Sequence, residues 1–73
     1  MKLSQLKVGQ SAKVLEINTS TKIKQRLERI GLIKGITVAV VRKAPFSGPI
    51  EIKLRDFYLA ISKNIADKII VKL

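Results

Sequence analysis

Residues 49 to 55 read PIEIKLR, with an apolar side chain at every second position. Successive side chains of a strand point to opposite faces, so Ile50, Ile52 and Leu54 face inward while Glu51, Lys53 and Arg55 face water. The same period returns in ITVAVVRKA. There Ile36, Val38 and Val40 share one face, and Thr37, Ala39 and Val41 the other. FYLAI follows with Leu59 and Ile61 inward, and IIVKL supplies a last strand. An earlier strand near residues 11–17 draws its apolar positions from Ala12, Val14, Leu15 and Ile17. Its alternation is imperfect, which predicts either two partly buried faces or a bulge. Five short strands in 73 residues point to a mainly β fold closed into a small barrel, an arrangement that removes most free edges.

One segment departs from period two. In NTSTKIKQRLERIGL, Ile23, Leu27 and Ile30 recur at i, i+4 and i+7, the spacing of one helix face, over about residues 20–30. Thr19 or Ser20 offers a capping oxygen to its first free N–H groups. Gly31 stands where a left-handed residue ends a helix, with Leu27 and Leu32 as the apolar pair of a Schellman ending. Leu3 and Leu6 belong to a short opening turn, Gly35 marks a second turn, and Asp56 suits a third. SKNIADK reads as a turn or single helical turn with Ala66 small enough to sit against the sheet. A helix after the first strand of a meander is the order of an SH3-like barrel carrying an extra helix, in one domain over 1–73.

A domain of this size has little margin of stability, and disulfides or metals often supply the difference. This chain has no cysteine and no histidine, so its core must be aliphatic; 47% of its residues are hydrophobic and only 4% aromatic. Lack of cysteine fits a reducing compartment. The start MKLSQLKVGQ lacks the apolar core of a secretory signal, and the longest apolar stretch, near ITVAVV, is far short of a membrane span. The expectation is a cytoplasmic protein.

The missing residue types also narrow the chemistry. Without histidine or cysteine, Ser4, Ser11, Ser47 and Ser62 have no usual general-base partner, and no glycine-rich run carries a Lys-Ser or Lys-Thr pair. The expectation is no enzyme. Transition metals prefer imidazole and thiolate. The carboxylates Glu16, Glu28, Glu51, Asp56 and Asp67 are scattered without ligand-like spacing, so no metal-ligating residue is assigned.

Binding is the better-supported class. The net charge is +10, which suits an anionic partner or simply a lysine-rich surface. Lys22, Arg26 and Arg29 recur at i, i+4 and i+7, forming a cationic stripe beside the apolar helix face. The stripe reads as the first candidate contact for an anionic partner, or as a solvated flank, or as a place where the Arg26 and Arg29 stems pack over the barrel edge. Stacking platforms for nucleic acid are few, since the aromatics are Phe46, Phe57 and Tyr58 alone. Pro45 and Pro49 in APFSGP do not fit a P-x-x-P repeat. That loop is a stiffened hairpin connection, or else a mount presenting Phe46 to a partner.

The run QRLERIGLIKGITVAVVRKAPFSGPIEIKLRDFYLAISKNIADKIIV resembles a FeoA domain, of the ferrous iron transport protein A family. The resemblance rests on several patterns in register: Arg26, Leu27, Ile30, Gly31, Leu32 and Gly35; then Val38 and Val40; then APFSGPI; then Leu59 to Ile61, Ala66, and Ile69 to Val71. Ile30 stands where leucine is common. RDF replaces a turn that usually carries glycine, leaving Asp56 to manage it. The resemblance implies an SH3-like barrel that acts beside the membrane ferrous-iron transporter FeoB, docking on its cytoplasmic GTP-binding part to support or regulate uptake. The domain type also ends some metal-dependent repressors behind a DNA-binding region that does not precede it here, so the free-standing form is the better match. The transition-metal label often attached to the family, and ferrous iron itself, come only from the resemblance. Lys22, Arg26, Arg29 and Phe46 are the candidate partner-binding residues. A basic SH3-like nucleic-acid-binding module is the alternative, and a homo-oligomer built on edge strands or the Phe46 loop stays open.

Overall fold

Alternation resolves into five antiparallel strands in a computed structural model that describes residues 1–73. They are β1 (Ser11–Ile17), β2 (Thr37–Lys43), β3 (Ile50–Leu54), β4 (Phe57–Ile61) and β5 (Ile69–Lys72). Helix α1 (Thr21–Ile30) follows β1, and the one-turn helix α2 (Lys63–Ala66) joins β4 to β5. A 3-10 turn over Leu3–Gln5 precedes β1 and buries Leu3 and Leu6 completely. The sheet order is β4-β3-β2-β1-β5. The fold is therefore mainly β, with the order expected of an SH3-like domain.

The barrel does not close through hydrogen bonds. Closure would require β4 to pair with β5, but the chain passes between them through α2, and both remain at the ends of the sheet. The outer edge of β5 is occupied instead by the first two residues. Val71 N–H donates to the Met1 carbonyl at 2.7 Å, the Met1 ammonium donates to the Val71 carbonyl at 3.2 Å, and Lys2 bridges to Ile70. The expectation of a barrel with few free edges thus holds at β5 and fails at β4.

Val14, Val38, Val40, Ile52, Leu54 and Ile69 are among the side chains sealed at the centre, and no polar or charged residue is buried with them. Each strand delivers its inward set by alternation, with two interruptions. The register of β1 against β5 shifts between Val14 and Glu16, and that of β2 against β3 shifts between Val40 and Arg42. The first is the bulge anticipated from the imperfect pattern. It leaves Leu15 exposed and returns Ile17 to the core. Ile36 and Leu59 are only half-buried, Ile36 because it lies just before β2.

Helix α1 is capped by Ser20, not Thr19: the Ser20 hydroxyl accepts from Ile23 N–H at 3.3 Å. At its other end Leu32 N–H donates to the Leu27 carbonyl at 2.9 Å and Gly31 N–H to the Glu28 carbonyl at 3.1 Å. These are the two bonds of a Schellman ending, with Gly31 at φ 111°. Only Leu27 of the helix is buried, and Ile23 is half-buried against the core. Ile30, expected inward, is exposed. It is the last helical residue, where the chain already turns away through Gly31.

Candidate partner-docking surface

Strands β2 and β3 run into the loop of residues 44–49. Its base is closed by one hydrogen bond, Ala44 N–H to the Pro49 carbonyl at 2.9 Å. The reciprocal bond is absent because Pro49 has no N–H. Within this base Gly48 N–H donates to the Pro45 carbonyl at 3.1 Å, making a tight turn whose central residues, Phe46 and Ser47, have φ of 58° and 60°. Two consecutive left-handed residues are the mark of a type I′ turn, which favours Asn-Gly because other side chains are strained there. Gly48 is required for a different reason: a Cβ there would lie 2.7 Å from the Ala44 Cβ and 3.1 Å from the Pro45 carbonyl oxygen.

Phe46 is 101% exposed, so its ring touches nothing in the fold. A phenylalanine covering the barrel end would have been buried. This one stands on a strained, proline-flanked turn with its whole apolar surface in water. Backbone strain of this kind concentrates at functional sites.

The cationic stripe is also free. Lys22, Arg26 and Arg29 are all exposed on α1, and no carboxylate lies within ion-pairing distance of any of them. The stripe and Phe46 are not brought together. The Phe57 ring lies 4.0 Å from where a Cβ on Gly31 would sit, so the end of α1 neighbours the β3–β4 turn. Phe46 projects at the opposite end of β3, beyond Ile50. A partner touching both must reach along β3, on a molecule measuring 28 × 23 × 22 Å.

Arg55 and Asp56 form the turn between β3 and β4, where Asp56 was expected to serve. Within it Arg55 carries left-handed backbone, at φ 49°. Glycine would suit that position without strain. Tyr58 is a feature that sequence reasoning missed. It is 59% exposed on the outer face of β4, with the Lys53 ammonium 5.9 Å from its ring centre. Its exposure follows from alternation with Leu59 and Ile61, a signal already present in FYLAI.

No group of three or more His, Cys, Asp or Glu side chains converges as a metal ligand set. Two of the carboxylates are engaged elsewhere. Glu51 is 3.8 Å from Arg42, and Asp67 accepts from the Ser4 hydroxyl and, at 3.2 Å, from the Lys63 ammonium. Those two hydrogen bonds, Ser4's first, hold the Asp67 carboxyl below the ordinary aspartate value. The residues present do not fit a resident metal ion.

Comparison with known proteins agrees with this fold. The FeoA domain family model matches residues 1–73. The solution structure of a FeoA protein from Chlorobium tepidum superposes with a TM-score of 0.95 at 36% identity, covering 100% of this chain and 70% of that one. Stenotrophomonas maltophilia FeoA complexed with zinc, described as a procaryotic SH3 domain protein, gives a TM-score of 0.80 at 28% identity, covering 99% of this chain and 89% of that one. A Porphyromonas gingivalis Fe(2+) transport protein A/Fe(2+) transporter FeoB fusion protein is 29% identical over 73 residues. That match covers 100% of this chain, which spans 9% of the length of the fusion protein.

Proposed function

The chain belongs to the FeoA domain family, and from that premise we propose that it is a non-enzymatic accessory of ferrous-iron import. In this reading it works in the cytoplasm and docks on the cytoplasmic, GTP-binding part of a FeoB-type transporter at the inner face of the membrane. Iron is the transporter's cargo and is not held by this chain. The observation that carries the reading is Phe46, fully exposed on a strained turn. Binding hot spots are side chains fully desolvated in the complex, and Phe46 is desolvated only once a partner covers it. Lys22, Arg26 and Arg29 add a cationic face that steers an acidic docking surface. The fusion relative joins both activities in one polypeptide, which supports a physical association between the separate units. No helix of this chain is long and apolar enough to cross a membrane, so recruitment would run through the partner.

The test is direct binding of the purified chain to the cytoplasmic part of a FeoB-type transporter at low salt, with and without guanine nucleotide. Phe46→Ser is expected to weaken binding about tenfold or more without lowering the melting temperature. Reversing charge at Lys22, Arg26 and Arg29 together is expected to slow association and flatten its salt dependence. No association at low salt in either nucleotide condition would overturn the reading.

A further inference from the structure

The two ends of the sheet are treated differently. The β5 edge is covered by Met1 and Lys2, whereas β4 has β3 as its sole strand neighbour. The Arg55–Asp56 turn makes Leu54–Phe57 the first hydrogen-bonded pair of the β3–β4 ladder. Antiparallel pairing alternates, so Tyr58 and Ala60 turn their N–H and C=O groups away from β3. No other segment hydrogen-bonds to β4. Natural edge strands are blunted by lysine, proline or a bulge. β4 reads FYLAI, with no charge, no proline and no register shift.

We propose that the β4 edge is a strand-addition site for an extended acidic segment of another protein. Backbone pairing to Tyr58 and Ala60 supplies the affinity, as in other strand-addition complexes. Selectivity comes from the outer face beside the edge. There Val41, Arg42, Glu51 and Tyr58 line an open hollow that receives alternate side chains of the added strand. Arg42 is exposed in that hollow but shares its charge with Glu51 at 3.8 Å, so the cation that favours an acidic strand is Lys53, which stands over Tyr58 and has no ion pair. A second copy of this chain is the poorer occupant, because pairing β4 with β4 brings two chains of net charge +10 together. The inference concerns a surface separate from Phe46 and does not depend on which protein donates the strand.

The probe is a synthetic peptide of about ten residues alternating valine and glutamate, with a valine–lysine peptide as its counterpart. Each is titrated into the isotopically labelled wild-type chain while amide exchange is followed. The acidic peptide is expected to slow exchange at Tyr58 and Ala60 about tenfold or more, and the basic one to leave it unchanged. Ala60→Pro, which removes an outward N–H and no ladder bond, is expected to abolish binding of the acidic peptide. If that variant fails to fold, the wild-type exchange result decides alone. Unchanged exchange at both amides, equal protection by the basic peptide, or β4 protection from self-association without peptide would each overturn the proposal. Protection by the peptide with no association to the transporter would retain this site and remove the partner proposed above. Association with the transporter but no β4 protection by the peptide would do the reverse.

Discussion

Three residues without a glycine's freedom hold left-handed backbone, Phe46, Ser47 and Arg55. Each carries a cost of order 1 kcal/mol or more that glycine avoids. The reasons for retaining them differ. Arg55 makes no ion pair, and nothing in the fold explains its preference over glycine. Arg55→Gly removes that strain but adds about 0.4–1 kcal/mol of unfolded-chain entropy, so it is expected to hold or slightly raise the melting temperature, by at most about 4 °C, in a scan of both proteins. Phe46 and Ser47 form the turn in which Asn-Gly is the favoured pair. The double change Phe46→Asn, Ser47→Gly is expected to raise the melting temperature while weakening docking to the transporter's cytoplasmic part. A melt that falls, or docking that survives, would separate the strain at this turn from its proposed use.

Among the elements, α1 shows most clearly what sequence periodicity can and cannot tell. Ile23, Leu27 and Ile30 announce a helix; its cap was narrowed to Thr19 or Ser20, and its Schellman ending was legible in Gly31 and Leu32. Their relative burial was not, because depth depends on where the helix rests across the sheet. Leu27→Ala is expected to cost about 2–4 kcal/mol in denaturant titration, and Ile30→Ala well under 1 kcal/mol. Equal costs would contradict the helix placement. The strands were legible for a related reason: period two fixes the face of Ile50, Ile52 and Leu54 whatever lies opposite. The bulge after Val14 was visible only as an ambiguity, since a bulge is settled by the register of the partner strand. Openness at β4 was hidden altogether. Strand order and the covering of an edge are properties of three-dimensional arrangement, whereas FYLAI looks the same at an edge or inside a sheet. For the docking surface, residue type and helical spacing singled out the stripe and Phe46, but only the turn geometry reveals that Phe46 is bare and far from the end of α1.

Across the whole molecule, Asp67 ties distant parts of the chain together. Its carboxylate accepts from Ser4 in the opening turn and from Lys63 in α2, while the Lys43 ammonium donates to the Ser4 carbonyl at 2.9 Å. The folded state holds the Asp67 carboxyl below its ordinary value, so its contribution is fully present above the unfolded aspartate value and fades as pH falls through the folded one. Melting temperature measured from neutral pH down to about pH 2.5 is expected to fall more steeply for wild type than for Asp67→Asn, with the divergence beginning near pH 4. Parallel curves would mean that the Ser4–Asp67–Lys63 contacts contribute nothing in solution. The position of β5 bears on how the molecule is born. β1 lies between β2 and β5, and Val14 meets Val71 across that last ladder. During synthesis the first strand must wait, one flank bare, until residues 69–72 have cleared the ribosome. Closing so long a loop late favours an all-or-none search over stepwise growth, so nascent chains short of β5 are the species most in need of a chaperone.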